Sequence, residues 1–314
     1  MTKLTIKDIA LLSGVSKSTV SRVLNNDPLV GKKTRQKVEK IIMNYGFQPS
    51  KSARALRGIA NRSIGIIVSR LSSTAENQVL TAMLPLLYAE CCEPIIVESQ
   101  FQSGLVKEHL DFFAQRSVDA VILFAFSGLD ETLLQDWQHK IVVIAKHYSA
   151  FSSVYYNDSK AVVLLMEYLY QKHHRHISYL GVQDQDYTTG YLRHQAYLNF
   201  CRQHQLTVCS VQGELGYDWA YQNISAVISD DVSAVLCATD TQAIGVVRYL
   251  HEYQLRHIQV CGIGNNPMLR FLFPNILSVD LGFKEAGKIA VTQLFALWEN
   301  QSVQHHCLDC RLVE

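Results

Sequence analysis

A chain of 314 residues, 48% apolar and 18% charged, with 16 glycines and only 6 prolines, has length for about two domains and enough apolar content for a sizeable core. That composition excludes intrinsic disorder and collagen-like repeats, and its longest apolar runs, such as AVILFAF at 120–126, are far shorter than the ~18–20 residues of a membrane helix. The net charge of +1 hides an asymmetry: residues 1–62 hold 8 Lys and 5 Arg against Asp8, Asp27 and Glu39, whereas the remainder holds 16 basic and 25 acidic residues.

A small basic head on an acidic body points to a nucleic-acid-binding segment. Thr5 and Asp8 form a capping-box-like T-x-x-D start for a helix to about Leu12, with Ile6, Ile9 and Ala10 on one face. Ser13-Gly14-Val15 breaks that helix. Ser16 caps a second one, Lys17 to Leu24, whose inner face is Val20, Val23 and Leu24. Two short helices about a three-residue glycine turn describe a helix-turn-helix. A third helix is predicted from Lys32 to Tyr45, with Val38, Ile41 and Ile42 inward and Gly46 at its end.

The outer face of the second helix carries Lys17, Ser18, Ser21 and Arg22. In this motif that face meets base edges in the major groove. Arg22 has the fork for guanine, Lys17 reaches the same acceptors, and Ser18 discriminates less. Ser16, Thr19, Ser21 and Asn25 suit phosphate contacts that set register. Residues 50–58, SKSARALRG, are helical by propensity, basic, and too short to be stable alone. Such a segment folds on DNA and places Leu56 as a minor-groove wedge; its plainer reading is a solvated linker.

From Ser63 onward β-rich runs alternate with helical stretches. Strands are predicted at 63–69, 94–100, 120–126, 141–146, 153–158, 176–182, 207–212, 234–240, 258–265 and 276–282, with helices such as 76–91, 159–172 and 216–228 between them. This alternation means parallel sheets with helices on both faces, and ten strands suggest two subdomains with a cleft. Residues beyond the strands' carboxyl ends are the ligand candidates: Arg70, Lys146, Asp186-Tyr187-Thr188-Thr189 with Arg193, Asp240 and Asn265. Cations there suit a phosphate and a carboxylate suits paired sugar hydroxyls. Phe126, Phe283 or Trp219 is available to cover an apolar sugar face.

Other patterns read blandly. HHRH at 173–176 is a basic turn between helix and strand rather than a metal site, and CLDCRLV at 307–313 alternates like one closing strand. GIGNNP at 262–267 lacks dinucleotide-fingerprint spacing, and no nucleophile elbow, H-E-x-x-H or P-loop is present. No catalytic set, metal or cofactor is therefore expected. The opening MTKLTIKDIA lacks a signal peptide's apolar stretch, which favours a cytoplasmic protein with free thiols. It also weighs against a sugar-transport protein; a sugar-phosphate enzyme fused to a DNA-binding head is the other alternative.

Residues 5–26, TIKDIALLSGVSKSTVSRVLNN, and 33–58, KTRQKVEKIIMNYGFQPSKSARALRG, closely resemble the head of the lactose/galactose repressor (LacI/GalR) family. The resemblance implies that Lys17, Ser18 and Arg22 read bases and that Ala53 and Leu56, flanking Arg54, sit in the minor groove as a hinge helix. It implies a head with hinge over 1–58 and an effector-binding, dimerising body over 63–314, made of two doubly wound subdomains resembling periplasmic sugar-binding proteins. The runs IGIIVSRLSSTAENQ, PIIVESQF, DYTTGYLRHQAYL and LCATDTQAIG look most like the trehalose-responsive branch of that family. That likeness implies a homodimer on palindromic operator DNA, released by trehalose 6-phosphate. The implied pocket contains Arg70, Glu76, Phe126, Lys146, Asp186, Tyr187, Thr188, Thr189, Arg193, Asp240, Thr241 and Phe283. The branch leads one to expect Arg where Lys146 stands and Tyr where Phe283 stands.

Overall fold

The computed structural model describes residues 5–24, 27, 29–45 and 62–313. The segment 50–58 expected as a hinge, with Ala53, Arg54 and Leu56, lies outside the described residues, as does Asn25. Two compact units emerge: one runs to Arg62 and takes in Cys91–Glu93, and the other begins at Ser63.

Among its described residues the first unit holds three helices, α1 (Ile6–Ser13), α2 (Lys17–Leu24) and α3 (Lys32–Asn44). At its start the Thr5 backbone N–H and hydroxyl both donate to the Asp8 carboxylate at 2.7 Å. Gly14 ends α1 in the left-handed conformation at φ 62°, which a β-carbon would oppose. The Ser16 hydroxyl then accepts the Thr19 N–H at 3.1 Å and starts α2. Ile9, Ala10, Val20, Val23 and Val38 form the buried core, with Ile6, Val15, Leu24, Ile41 and Ile42 packed around it.

The second unit contains two six-stranded sheets. In the first, the order is β2 (Glu93–Glu98), β1 (Ser63–Val68), β3 (Ala120–Phe124), β4 (Ile141–Ile144), β5 (Ser152–Tyr156) and β11 (His305–Leu308). In the second it is β7 (Ser210–Gly213), β6 (Ile177–Val182), β8 (Ala234–Cys237), β9 (Gln259–Ile263), β10 (Leu277–Asp280) and β12 (Arg311–Val313). The same 2-1-3-4-5 order thus occurs twice, with a sixth strand added to each sheet. The interior strands β1, β3, β4, β6 and β8 are buried at every residue, as expected for parallel sheets covered on both faces.

Helices do not all stay with the strands that precede them. After β5 the chain crosses over, and α6 (Asp158–Gln171) packs in the second subdomain against α7 (Arg193–Gln203). After β10 it returns, and α11 (Phe283–Trp298) packs on α4 (Thr74–Ala89) of the first. The third crossing separates β11 from β12. Residues 307–313, read from sequence as one closing strand, are therefore two: β11 runs parallel to β5, whereas β12 runs antiparallel to β10. The break falls at Asp309-Cys310, where Lys160 pairs with Asp309 and the Cys310 N–H bonds the same carboxylate at 3.0 Å. The remaining helices are α5 (Ser103–Gln115), α8 (Tyr217–Asn223), α9 (Asp240–Glu252) and α10 (Pro267–Leu272). Among the described residues no helix is long and apolar enough to cross a membrane.

Candidate functional site

In a 2-1-3-4-5 sheet, neighbouring connections leave β1 and β3 toward opposite faces, and a crevice opens at their carboxyl ends. Here the two switch points, β1/β3 and β6/β8, face a common cavity of about 380 Å³. The first subdomain contributes Arg70, the α4 start at Ser72–Glu76, Phe101 and Phe124–Phe126. The second contributes Asp158, Asp186, Thr188, Thr189, Arg193, Tyr217, Thr239–Thr241 and Asn266. Tyr156 and Phe283 stand at two of the crossings and meet edge-on with ring centroids 5.1 Å apart.

Of the residues expected from sequence, Arg70, Glu76, Phe126, Asp186, Thr188, Thr189, Arg193, Asp240, Thr241 and Phe283 line this cavity. Lys146, Tyr187 and the strand-end Asn265 do not. At the end of β4 it is Ala145, in a left-handed turn at φ 76°, that reaches the wall, while the Lys146 ammonium lies 4.8 Å from the centre of the Tyr148 ring. Tyr187 is exposed and stacks on Tyr191; its backbone N–H donates to the Ser127 hydroxyl of the opposite subdomain at 2.6 Å. Trp219 packs among the core residues of the second subdomain rather than in the cavity. The basic turn at 173–176 holds no metal cluster among the described residues; its His174 Nδ1 lies 2.9 Å from the Ser233 hydroxyl.

Burial and pairing set the cavity's electrostatics. Arg193 donates through Nε and Nη2 to the Asp158 carboxylate at 2.8 and 2.6 Å and through Nη1 to the Ala238 carbonyl. Both charged partners are buried. Burial pushes the Asp158 carboxyl up, and the Arg193 guanidinium opposes that shift. Asp240 accepts the Asn266 N–H at 2.6 Å and the Ser278 hydroxyl at 2.9 Å; its carboxyl is still pushed up to about 6 by burial. A β-carbon at Gly262 would strike the same carboxylate, so the strand beside Asp240 needs glycine there. Glu76 accepts the Ser69 N–H at 2.8 Å and the Arg70 N–H at 3.4 Å, and burial pushes its carboxyl up to about 7.

Asp186 caps the irregular turn Tyr187–Leu192, accepting the Thr188 and Thr189 N–H groups at 3.1 and 3.0 Å. The starts of α4 and α9 and this turn all bring helix N-termini to the wall, which favours electronegative ligand atoms. Together with the wall carboxylates and Arg70, the lining has acceptors for sugar hydroxyls and donors for an anionic group. The sequence reading missed Asp158, Tyr156, Phe101 and Asn266. The predicted strand over 153–158 puts Asp158 at its end, whereas Asp158 opens α6; the Asn157-Asp158-Ser159 run is the signal that marks a helix start there, and the Asn157 side chain accepts the Lys160 N–H at 3.1 Å.

On the head, Lys17, Ser18 and Arg22 stand exposed on α2, and Thr19 and Ser21 are half-buried. The Ser16 hydroxyl lies 2.7 Å from that of Ser18 and 2.8 Å from that of Thr19, which gathers three hydroxyls at the helix start. Arg22 is largely exposed, with Nε 3.9 Å from the Asp27 carboxylate. The face has the polar, basic character of a recognition helix.

Residues 5–50 match the family model described as bacterial regulatory proteins, lacI family, and residues 166–314 match the periplasmic binding protein-like domain. The HTH-type transcriptional regulator TreR of Escherichia coli (strain K12) is 47% identical over 294 residues, covering 94% of this chain and 93% of that protein. Its counterpart in Salmonella typhimurium is 46% identical over 292 residues, 93% of each chain. Among solved structures, a trehalose repressor from Escherichia coli superposes with a TM-score of 0.79 at 41% identity, covering 81% of this chain and all of that one. The Lac repressor bound to ONPG shares the fold at a TM-score of 0.80 and 21% identity, covering 100% of this chain and 99% of that one. This chain belongs to the lacI family of bacterial regulatory proteins.

Proposed function

We propose that the chain is a sequence-specific repressor of trehalose uptake and breakdown genes, released from its operator by trehalose 6-phosphate. The observation that carries this reading is the 47% identity to TreR over 94% of the chain, a span that includes head and body alike. The cavity supports it: about 380 Å³ accommodates a small-molecule ligand, with carboxylates for hydroxyls and Arg70 for an anion.

Residues 1–58 act as head with hinge and 63–314 as sensor. Lys17, Ser18 and Arg22 read bases; Ser16, Thr19, Ser21 and Asn25 hold phosphates; Ala53, Arg54 and Leu56 enter the minor groove. One helix-turn-helix reads only a few base pairs, so two heads of a cytoplasmic homodimer take a palindromic site. Effector binding favours one arrangement of the two subdomains and respaces the paired hinges. Operator affinity then falls by the difference between the effector's affinities for the two arrangements, and no further.

The test is fluorescence-anisotropy titration of the full chain on labelled DNA from its own upstream region, at fixed salt because phosphate contacts make affinity salt-dependent. Specific binding that trehalose 6-phosphate weakens supports the proposal. Specific binding indifferent to that ligand removes the trehalose assignment, and binding no tighter than to random DNA removes the operator assignment.

A further inference from the structure

The cavity wall holds Phe126 and Phe283, which are 8% and 7% exposed, and Phe101, which is 47% exposed. Phe101 lies in the short connection from β2 to α5, where Gln100 and Phe101 both adopt left-handed backbone at φ 51° and 58°. Two successive residues with β-carbons are strained there, and such strain persists only where the surroundings over-determine it.

They are over-determined by one neighbour, the turn that carries Arg70. The Gln100 N–H donates to the Ser69 carbonyl at 2.9 Å, and the Leu71 N–H donates to the Glu98 carboxylate at 2.7 Å. The Gln100 amide donates to that same carboxylate at 3.2 Å. The clamp sets the Arg70 guanidinium 5.3 Å from the centre of the Phe101 ring, and the ring meets Phe126 edge-on at 5.8 Å. Arg70 Nε is buried with no hydrogen-bond partner among the described residues. The other arginine of the wall, Arg193, is by contrast tied to Asp158.

We propose that Phe101 is a positioning residue that sets the cavity's preference for a phosphorylated over an unphosphorylated sugar by holding Arg70. An aromatic face attracts a guanidinium without cancelling its charge or occupying its in-plane donors. A carboxylate partner would do both, as Asp158 does to Arg193. The strained turn is thus the means of fixing a cation in a wall rich in carboxylates while leaving it free to meet an anion. This inference rests on the effector reading above and adds to it the residue that generates the preference.

The experiment is calorimetric titration of the full chain with trehalose 6-phosphate and with trehalose, comparing wild type, Phe101→Leu, Phe101→Trp, Arg70→Gln and Phe101→Leu with Arg70→Gln. Phe101→Leu is expected to reduce the ratio of the two affinities by about 10-fold, Phe101→Trp to preserve it, and Phe101→Leu to have no further effect once Arg70 is Gln. Thermal unfolding of each variant shows whether the fold is intact, and the conservative tryptophan variant keeps the comparison informative if the leucine variant unfolds. A ratio unchanged in Phe101→Leu, or reduced equally in the Arg70→Gln background, overturns the proposal alone. A wild-type chain that binds neither sugar overturns the effector reading and the proposal together.

Discussion

Replacing Asp158 by alanine isolates the ion pair in the cavity wall. The carboxylate accepts two N–H groups of Arg193, at 2.8 and 2.6 Å, and both residues are buried. Its removal leaves an enclosed guanidinium whose remaining protein acceptor among the described residues is the Ala238 carbonyl. Breaking a buried pair from one side destabilises by about 3–5 kcal/mol. At roughly 2–4 °C per kcal/mol for a unit of this size, Asp158→Ala should lower the unfolding midpoint by about 6–20 °C. Adding Arg193→Met removes the stranded charge and should recover much of that loss, because two well-packed apolar groups replace a buried pair at little net penalty. Differential scanning calorimetry of wild type, the single variant and the double variant reads both effects. A single variant within about 2 °C of wild type, or a double variant no more stable than the single, would show that no buried charge is stranded when Asp158 is removed.

Arg22→Ala should cost about 1–3 kcal/mol on the cognate operator and reduce discrimination between bases; an equal loss on random DNA in the same anisotropy assay would make Arg22 a phosphate contact only. Glu76, pushed up to about 7, binds a proton more tightly folded than unfolded, so its contribution is full below about pH 4.5 and is lost as pH rises through about 7. Glu76→Gln should therefore shrink the fall in unfolding midpoint between pH 5 and pH 8, by an amount equivalent to roughly 3 kcal/mol at most; an unchanged difference between the two pH values argues against the buried carboxyl. Ser127→Ala deletes the bond that crosses the cleft to the Tyr187 N–H. At about 1 kcal/mol for such a bond, the effector concentration that half-releases the operator should move by roughly fivefold, and an unmoved midpoint would show that the bond does not distinguish the two arrangements.

Much of this molecule is legible in its amino-acid sequence because period and punctuation report local structure directly. The inward residues Ile9, Val20 and Val38 of the head follow from helical spacing, and the Gly14 turn follows from the need for left-handed backbone. Strand ends in the body point to the cavity because ligand crevices form there whatever the side chains, and Arg70, Asp186 and Asp240 are found accordingly. The reading fails where tertiary geometry decides. Lys146 is one residue too far along the chain: the left-handed turn at Ala145 brings the alanine, not the lysine, to the wall. Asp158 looks like a strand end until its partner 35 residues away is known, and no periodicity reports such a partner. Phe101 is hidden for a different reason, since φ values above zero at two non-glycine residues contradict local propensity and are sustained only by the neighbouring turn.

The split between β11 and β12 has a consequence for the order in which the body is made. Five strands of the first sheet have been synthesised by Tyr156, but β11 is not complete until Leu308, 152 residues later, and α11 precedes it by only a few residues. At about 5–20 residues per second, the nascent first sheet waits roughly 8–30 s with the open edge of β5 and the α4 face that α11 will cover exposed to its surroundings. The second sheet gains its edge strand β12 within the next few residues. Both halves therefore mature almost together, and the ribosome-bound intermediate with an unpaired β5 edge is the species with most to gain from a chaperone.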